Sequence, residues 1–181
     1  GISSNVECRL ITEWATQKSA GSNYTGLSPV TAGFKVKIAE EKGMIPEMAF
    51  IGHLTVGKWG SSYFKSDYTA PSFRFTMQHS LSETVSFSYN LGATWDGQSP
   101  EPAYLYTIST VFSITPKLGA YTELYGFAPE KSRADHRADA GVTYLLSDHF
   151  MLDASGGTGI TKNGPEYFFA LGFSCRFRAF K

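Results

Sequence analysis

Apolar and polar residues alternate one by one along most of the chain. Between residues 84 and 95, the odd positions from Val85 to Trp95 are apolar or aromatic, and the even positions are Ser, Thr, Asn or Gly. The same alternation runs through residues 29–39, 72–79 and 166–177. Because successive strand side chains point to opposite faces, this period predicts strands with one apolar and one polar face. A helix would scatter the apolar set around its axis.

Alternation bounded by turn residues divides the chain into about ten segments. They cover residues 4–14, 29–40, 46–57, 69–79, 83–95, 103–114, 118–128, 136–146, 149–158 and 166–177. Segments of about 10 residues match a tilted membrane strand, whereas soluble strands usually have about 5–6 residues. The pattern predicts an all-β fold, an antiparallel transmembrane β-barrel of about ten strands. A single domain is expected over residues 1–181.

The connections between these segments alternate between short and long. The short ones cover residues 41–44, 80–82, 115–117 and 147–148, and the long ones cover 15–28, 57–68, 96–102, 128–135 and 159–165. Outer-membrane barrels have short periplasmic turns and longer external loops. We therefore expect an outer-membrane location, with the long loops outside and both termini periplasmic.

A soluble lipocalin-like barrel is the main alternative fold. Its strands also alternate, but its interior is apolar and its exterior polar. Here the apolar set carries the large aromatic side chains, and the other set carries Ser, Thr, Gly and charges. This asymmetry favours a membrane barrel with an apolar outer face.

Aromatic residues also lie near the predicted strand ends or in loops. They are Trp14, Trp59, Tyr63, Tyr68, Trp95, Tyr104 and Tyr167. Amphipathic rings favour the membrane–water interface, so the positions suggest an aromatic belt. The alternative is the ordinary enrichment of aromatic residues in strands.

Composition narrows the class of protein further. The chain has 16 Lys and Arg against 16 Asp and Glu, a formal net charge of zero, which argues against a nucleic-acid surface. No apolar run has the roughly 18 residues of a transmembrane helix. No signal peptide is visible at Gly1, so under the barrel interpretation we expect a mature or truncated chain.

Candidate chemistry is sparse. The four histidines lack metal-ligand spacing, and no phosphate-binding loop is apparent, so we expect no metal and no cofactor. A lipid-modifying membrane enzyme needs a nucleophile beside a histidine. The pairs His79–Ser80 and Asp135–His136 are adjacent in sequence, and adjacent strand residues face opposite ways. We therefore expect no enzyme and keep lipid modification as a weaker hypothesis.

The two cysteines, Cys8 and Cys175, fall on the apolar set of the first and last segments. If ten strands close on themselves, these residues approach each other; if further strands intervene, they do not. The favoured interpretation is two isolated small residues that face lipid.

Charged residues fall mostly on the polar set, which predicts that they line the lumen. They are Glu7, Arg9, Glu13, Lys35, Lys37, Glu47, Arg74, Glu123, Arg137, Asp139, Asp153, Glu166 and Arg176. One interpretation is a water-filled path for a small solute. The other is a network of paired charges that fills a narrow barrel, since a lumen of about eight strands is just filled by side chains.

Three groups of short stretches resemble a known family. The first is LSPVTAGFK at 27–35 with IAEEKG at 38–43; the second is APSFRF at 70–75, YNLG at 89–92 and WDG at 95–97. The third is ELYGF at 123–127, DHR at 135–137, GVTYLL at 141–146, LDASGG at 152–157 and LGFS at 171–174. They resemble the outer-membrane "transporter" barrels, described as putative MetA-pathway of phenol degradation, in a form like that of Bacteroidetes.

The resemblance implies several properties of the chain. It implies a Gram-negative outer-membrane barrel, with about twelve strands if two more precede Gly1. It also implies that Phe177 or Phe180 is the final aromatic residue read by the barrel-assembly machinery. The implied surroundings are the lipid bilayer and lipopolysaccharide.

Two function hypotheses follow. The first is a narrow, porin-like channel or transporter for small solutes, hydrophobic or aromatic ones among them. The second is a plugged structural or accessory barrel that docks beside another outer-membrane protein.

Overall fold

The computed structural model describes residues 2–19 and 21–177, and the described part consists of strands, turns and loops without a helix. The strands are β1 (Val6–Ile11), β2 (Trp14–Ser19), β3 (Ser22–Leu27), β4 (Val30–Ala39), β5 (Glu47–Val56), β6 (Ala70–Ser80), β7 (Val85–Thr94), β8 (Ala103–Ser113), β9 (Leu118–Pro129), β10 (Asp135–Ser147), β11 (Phe150–Gly159) and β12 (Phe168–Cys175). Among the described residues, no helix is long and apolar enough to cross a membrane.

Ten of the strands form one antiparallel sheet in the order β1-β4-β5-β6-β7-β8-β9-β10-β11-β12. β2 and β3 form a separate two-stranded sheet, so β1 pairs with β4. All other neighbours in the large sheet are consecutive in sequence, as expected for antiparallel strands joined by turns and loops. The prediction of an all-β, antiparallel fold is confirmed.

The ten predicted segments match the ten strands of this sheet to within a few residues. The predicted connection at 15–28 does link two strands of the large sheet, β1 and β4, but it contains the hairpin β2–β3, which was not predicted, and β1 already ends at Ile11. The hairpin is polar on both sides, so it gives no alternation. The hydroxyls of Thr16 and Thr25 lie 2.9 Å apart across it.

The chain forms two compact units. Unit 1 comprises residues 1–77, 91–105 and 129–131, and unit 2 comprises residues 78–90, 106–128 and 132–181. Unit 1 contains β1 to β5 entirely, and unit 2 contains β10 to β12 entirely. β6 to β9 contribute residues to both.

In unit 1 the apolar face of the strands carries a chain of aromatic contacts. The ring centroids of Phe34 and Phe50 are 5.9 Å apart, and Phe50 meets Phe75 edge-on at 5.1 Å. Phe73 continues the row to Trp95 at 6.5 Å. Such pairs add to the stability that comes from area burial alone.

In unit 2 the register also places apolar residues side by side. Tyr144 pairs with Leu152, and Leu152 pairs with Phe173 on the next strand. One row further along, Leu171 pairs with Ala154. These side chains point away from the protein: Leu171 is 88% exposed.

Few apolar side chains are buried in either unit. Among the described residues the buried hydrophobic set is Ala49, Ala70, Ala93 and Leu105, all in unit 1. A soluble domain of this length normally buries most of its large apolar side chains in one core. Here the large apolar side chains form an exposed face, and the opposite face carries the charges.

Candidate functional site

The polar face of unit 1 is defined by the register of β1, β4 and β5. Glu7 lies opposite Lys35, and Lys37 lies opposite Ala49. Directly opposite residues of an antiparallel pair share a face, so these side chains lie on one side of the sheet. Cys8 and Phe34 are opposite each other on the other side.

Arg9 and His53 flank a glycine on this polar face. Gly33 lies opposite Arg9 on β1 and opposite His53 on β5. A Cβ atom at Gly33 would collide with the His53 ring, so only glycine leaves room for the imidazole there. The Nε2 atom of His53 is buried and makes no hydrogen bond within the described part of the chain.

Arg74 belongs to the same polar face. Its neighbours Phe73 and Phe75 both contact Phe50 on the apolar face, so Arg74 points the other way. The polar face of unit 1 therefore carries four cationic side chains and two carboxylates. They are Arg9, Lys35, Lys37 and Arg74, with Glu7 and Glu47.

Only some of these charges are paired. The Arg9 guanidinium is 3.3 Å from the Glu7 carboxylate, and the Lys37 ammonium is 3.2 Å from that of Glu40, just beyond β4. Within the described part of the chain, Lys35 and Glu47 form no ion pair and no side-chain hydrogen bond. The excess of cations makes this face basic.

A cavity of about 220 Å³ opens on the polar face of unit 1. Its charged lining is Glu7, Lys35, Lys37 and Glu47, and Ala49 forms part of its wall. Ser4 and Asn5, which precede β1, complete the lining. The cavity thus brings four of the predicted lumen residues together.

The polar face of unit 2 has the opposite charge. Asp139 lies directly opposite Glu123 on β9 and opposite Gly157 on β11. Asp153 lies on the same face, opposite Thr143. Like charges directly across a strand pair destabilise a sheet, and one oxygen of Asp139 is buried without a hydrogen bond.

Arg137 supplies the positive charge of this second face. Its Nε donates to the Asp135 carboxylate at 2.9 Å, and its guanidinium carbon lies 5.8 Å from the centre of the Phe127 ring. Tyr125 is directly opposite Arg137. The described strands of unit 2 therefore carry Glu123, Asp135, Asp139 and Asp153 with one guanidinium on this face, which makes it acidic.

Tyrosine fills part of the acidic face. Tyr121 is directly opposite Gly141, and a Cβ atom there would lie 2.5–2.7 Å from the ring and hydroxyl of Tyr121. The ring therefore lies across the glycine. Such a contact occupies space above this face of the sheet.

Three of the predicted lumen residues lie outside the strands. Glu13 lies between β1 and β2, Glu166 precedes β12, and Arg176 follows it. Their backbones make hydrogen bonds: the Glu13 carbonyl accepts from the Ser28 N–H at 2.8 Å, the Glu166 carbonyl accepts from the Thr158 hydroxyl at 2.7 Å, and the Arg176 N–H donates to the His149 carbonyl at 2.9 Å. Strand alternation does not apply to them, and their lumen position stays a prediction.

Sequence reasoning missed Asp135 and His53 as members of these faces. Asp135 was assigned to a connection, although it has the same parity as Arg137 and Asp139 and starts β10. His53 has the parity of Ile51 and Thr55, but only the register reveals that its ring lies over Gly33.

The long connections of unit 1 are held by specific contacts. Tyr24 of β3 stacks on Tyr63 at 3.7 Å, and the Leu27 N–H donates to the Ser61 hydroxyl at 2.9 Å. In the connection after β7, the Asp96 carboxylate accepts the backbone N–H groups of Gln98 and Ser99. These hydrogen bonds hold the pKa of Asp96 below its usual value.

The remaining candidates for chemistry are isolated. Among the described residues no group of three or more His, Cys, Asp or Glu side chains is placed to hold a metal ion. Cys8 and Cys175 are both free thiols and exposed. Phe177 is 82% exposed, and Phe180 lies outside the described residues.

One protein family matches this chain. The family is described as putative MetA-pathway of phenol degradation, and the match covers residues 3–177, nearly the whole length. The resemblance found from the sequence motifs is thereby confirmed. No curated protein matches the chain.

Proposed function

The chain belongs to the family described as putative MetA-pathway of phenol degradation, and from that premise we propose that it is an outer-membrane β-barrel with a narrow path for small solutes. The role involves no catalysis. The family description makes phenol and other small aromatic compounds the first solutes to test.

The exposed apolar face is the observation that carries this proposal. Phe75 is 42% exposed, Leu91 58% and Leu171 88%. Monomeric soluble proteins rarely expose contiguous apolar patches above about 300–600 Å². Contact with lipid removes the free-energy cost of exposing this apolar face to water, because lipid tails are as apolar as the side chains themselves.

Closure of the sheet is part of the proposal. β1 and β12 are the first and last strands of the sheet order. A membrane offers no water to unpaired backbone groups, so a spanning sheet has no free edge in the hydrocarbon. The proposed barrel lies in the outer membrane among lipid and lipopolysaccharide, has both termini in the periplasm, and is inserted by the barrel-assembly machinery.

The polar face of unit 1 supports an aqueous path. Lys35 and Glu47 carry charges with no ion pair in the described part of the chain. Burying an unpaired charge away from water is very costly. Water beside these groups keeps them solvated, so they favour a hydrated lumen at this face.

The polar face of unit 2 favours a second candidate, a plugged barrel with a structural or accessory role. Arg137 is held by Asp135 and Phe127, and Tyr121 covers Gly141. Side chains locked to their own neighbours fill a narrow lumen rather than line an open one. In that case the protein would act by docking beside another outer-membrane protein.

Ion conductance and solute uptake separate these two candidates, and heat-modifiable migration tests the folding that both require. We expect the purified chain to show heat-modifiable migration, and to give discrete conductance steps in planar bilayers. Liposomes that contain it should take up phenol faster than protein-free liposomes treated alike. A folded, membrane-inserted protein that is ion-tight would favour the plugged barrel. A chain that stays in the aqueous fraction would contradict both.

A further inference from the structure

We propose that the cavity on the polar face of unit 1 binds a small zwitterion, a molecule of the α-amino-acid type that carries one carboxylate and one ammonium group. This inference rests on the proposed barrel, because the ligand needs an aqueous route from one end of the lumen to the cavity. It names a class of ligand that the cavity recognises, separate from the aromatic solutes proposed for the path.

Each of the three strands around the cavity contributes charges of one sign to its lining. Lys35 and Lys37 lie two residues apart on β4, so both ammonium groups rise from the same side of the central strand. Glu7 lies on β1 and Glu47 on β5, the two strands that flank β4. A row of cations thus has a carboxylate on either side.

These charges do not neutralise one another across the strands. Glu7 is directly opposite Lys35, yet its carboxylate pairs with Arg9 at 3.3 Å. Lys37 pairs instead with Glu40, whose side chain is 86% exposed and which lies beyond the strand. The cavity therefore presents an ammonium group at Lys35 and a carboxylate at Glu47, and neither has an ion pair within the described residues.

The size and lining of the cavity restrict the ligand to a small polar molecule. Its volume of about 220 Å³ compares with about 30 Å³ for one water molecule in the liquid. Its wall has the methyl group of Ala49, which is 5% exposed, and no aromatic or large aliphatic side chain. An apolar or aromatic solute finds little surface to pack against, since such ligands need predominantly hydrophobic walls.

The balance of charge selects among polar ligands. The lining contains two lysines and two glutamates. A ligand with only a negative charge is attracted by the lysines but repelled by the carboxylates. A ligand with only a positive charge is attracted by the carboxylates but repelled by the lysines. A zwitterion satisfies both signs with charge-assisted hydrogen bonds, which are the strong ones in proteins. The Asn5 amide and the Ser4 hydroxyl add donors and acceptors at the cavity wall.

The test is calorimetric titration of the full chain, folded in detergent, with four probes. Glycine carries both charges, acetate and methylammonium carry one each, and succinate carries two carboxylates. We expect glycine to bind about tenfold more tightly than either single-charge probe, because each extra charged hydrogen bond is worth about a factor of ten or more. Acetate or succinate binding as tightly as glycine would overturn the proposal in favour of an anion site.

Five variants assign the binding to the cavity. Lys35→Gln and Glu47→Gln should each weaken glycine about tenfold. Lys58→Gln and Asp67→Asn remove equivalent charges from exposed loop positions of unit 1 and should leave glycine binding unchanged. Lys35→Arg keeps the charge and should retain binding. Unchanged glycine affinity in both cavity variants would overturn the proposal.

Two controls keep folding and transport separate from binding. Loss of heat-modifiable migration identifies any variant that has failed to fold. If Lys35→Gln fails in this way, glycine binding at position 35 is measured in Lys35→Arg instead. Conductance of the same preparation tests the solute path independently. Glycine binding without conductance would refute the path and leave the cavity site in place, whereas conductance without glycine binding would refute the cavity site alone.

Discussion

The two compact units carry polar faces of opposite character on strands with the same alternating pattern. In unit 1 the face has an excess of cations, a cavity, and charged groups such as Lys35 that have no ion pair among the described residues. In unit 2 carboxylates dominate, and Arg137 is held by Asp135 and Phe127. Alternation therefore decides which face a side chain joins. The register and the neighbours decide whether that side chain is available to a solute.

The largest expected effect concerns what both units share, the apolar face. In the proposed barrel, Phe75→Asp in unit 1 and Leu171→Asp in unit 2 each place a carboxylate toward lipid. We expect a loss of roughly 1–4 kcal/mol, depending on depth, and failed assembly seen as lost heat-modifiable migration. Ser72→Asp, on the polar set of β6, is the matched control and should assemble normally. Normal assembly of Phe75→Asp would reverse the assignment of the faces.

The next prediction compares the charged side chains of the two units, which differ in whether neighbouring groups hold them. Arg137→Gln removes the guanidinium from a face with four carboxylates, and should destabilise the fold by about 1–3 kcal/mol. Lys35→Gln removes a charge that forms no ion pair with any residue that the structure describes, so its effect on the free energy of unfolding should be within about 0.5 kcal/mol. Urea unfolding midpoints measure both. Equal losses of unfolding free energy in the two variants would contradict the difference proposed between the two polar faces.

The contact between Gly33 and His53 gives an effect of similar size that is specific to unit 1. Gly33→Ala puts a methyl group where the His53 ring lies, and overpacking of this kind costs about 1–3 kcal/mol before the ring moves away. In the double variant Gly33→Ala/His53→Ala, much of that loss should be recovered. Additive losses in the urea midpoints would show that the two side chains do not meet.

The smallest effect is expected in the connection after β7. A lowered carboxyl pKa means that the stabilisation by Asp96 is fully present above the ordinary Asp pKa and is lost as pH falls through the lowered value. Trp95 reports on this segment, since its indole N–H donates to the Pro100 carbonyl at 3.1 Å. Trp95 fluorescence should change below about pH 4, and this change should be absent in Asp96→Asn. An acid transition that persists in Asp96→Asn would assign it to another group.

Much of the fold was predictable because the strands are long and carry their apolar residues on one face. Ten strands followed from alternation, and the family followed from motifs such as ELYGF at 123–127. The β2–β3 hairpin was missed because its short strands are polar on both sides and show no period of two. Glu166 and Arg176 were placed on the last strand, but β12 spans only Phe168–Cys175.

The character of each polar face was beyond reach of the sequence pattern. The opposition of Glu123 and Asp139 depends on the register between β9 and β10, which no local signal reveals. The same holds for the ring of His53 above Gly33. The sequence pattern leaves a water-filled path and a network of paired charges as alternatives for one mixed set of charges, whereas the register sorts these charges into a basic face in unit 1 and an acidic face in unit 2.

The central claim is that one face of the sheet meets lipid and the other meets water. A cysteine scan of residues 72–77, in a chain with Cys8→Ala and Cys175→Ala, tests it directly in lipid vesicles. The measurement is reaction with a hydrophilic maleimide, alongside quenching of an attached fluorophore by spin-labelled lipid. We predict maleimide reaction at positions 72, 74 and 76, and lipid quenching at positions 73, 75 and 77. The same response at all six positions, or the reverse alternation, would contradict the account.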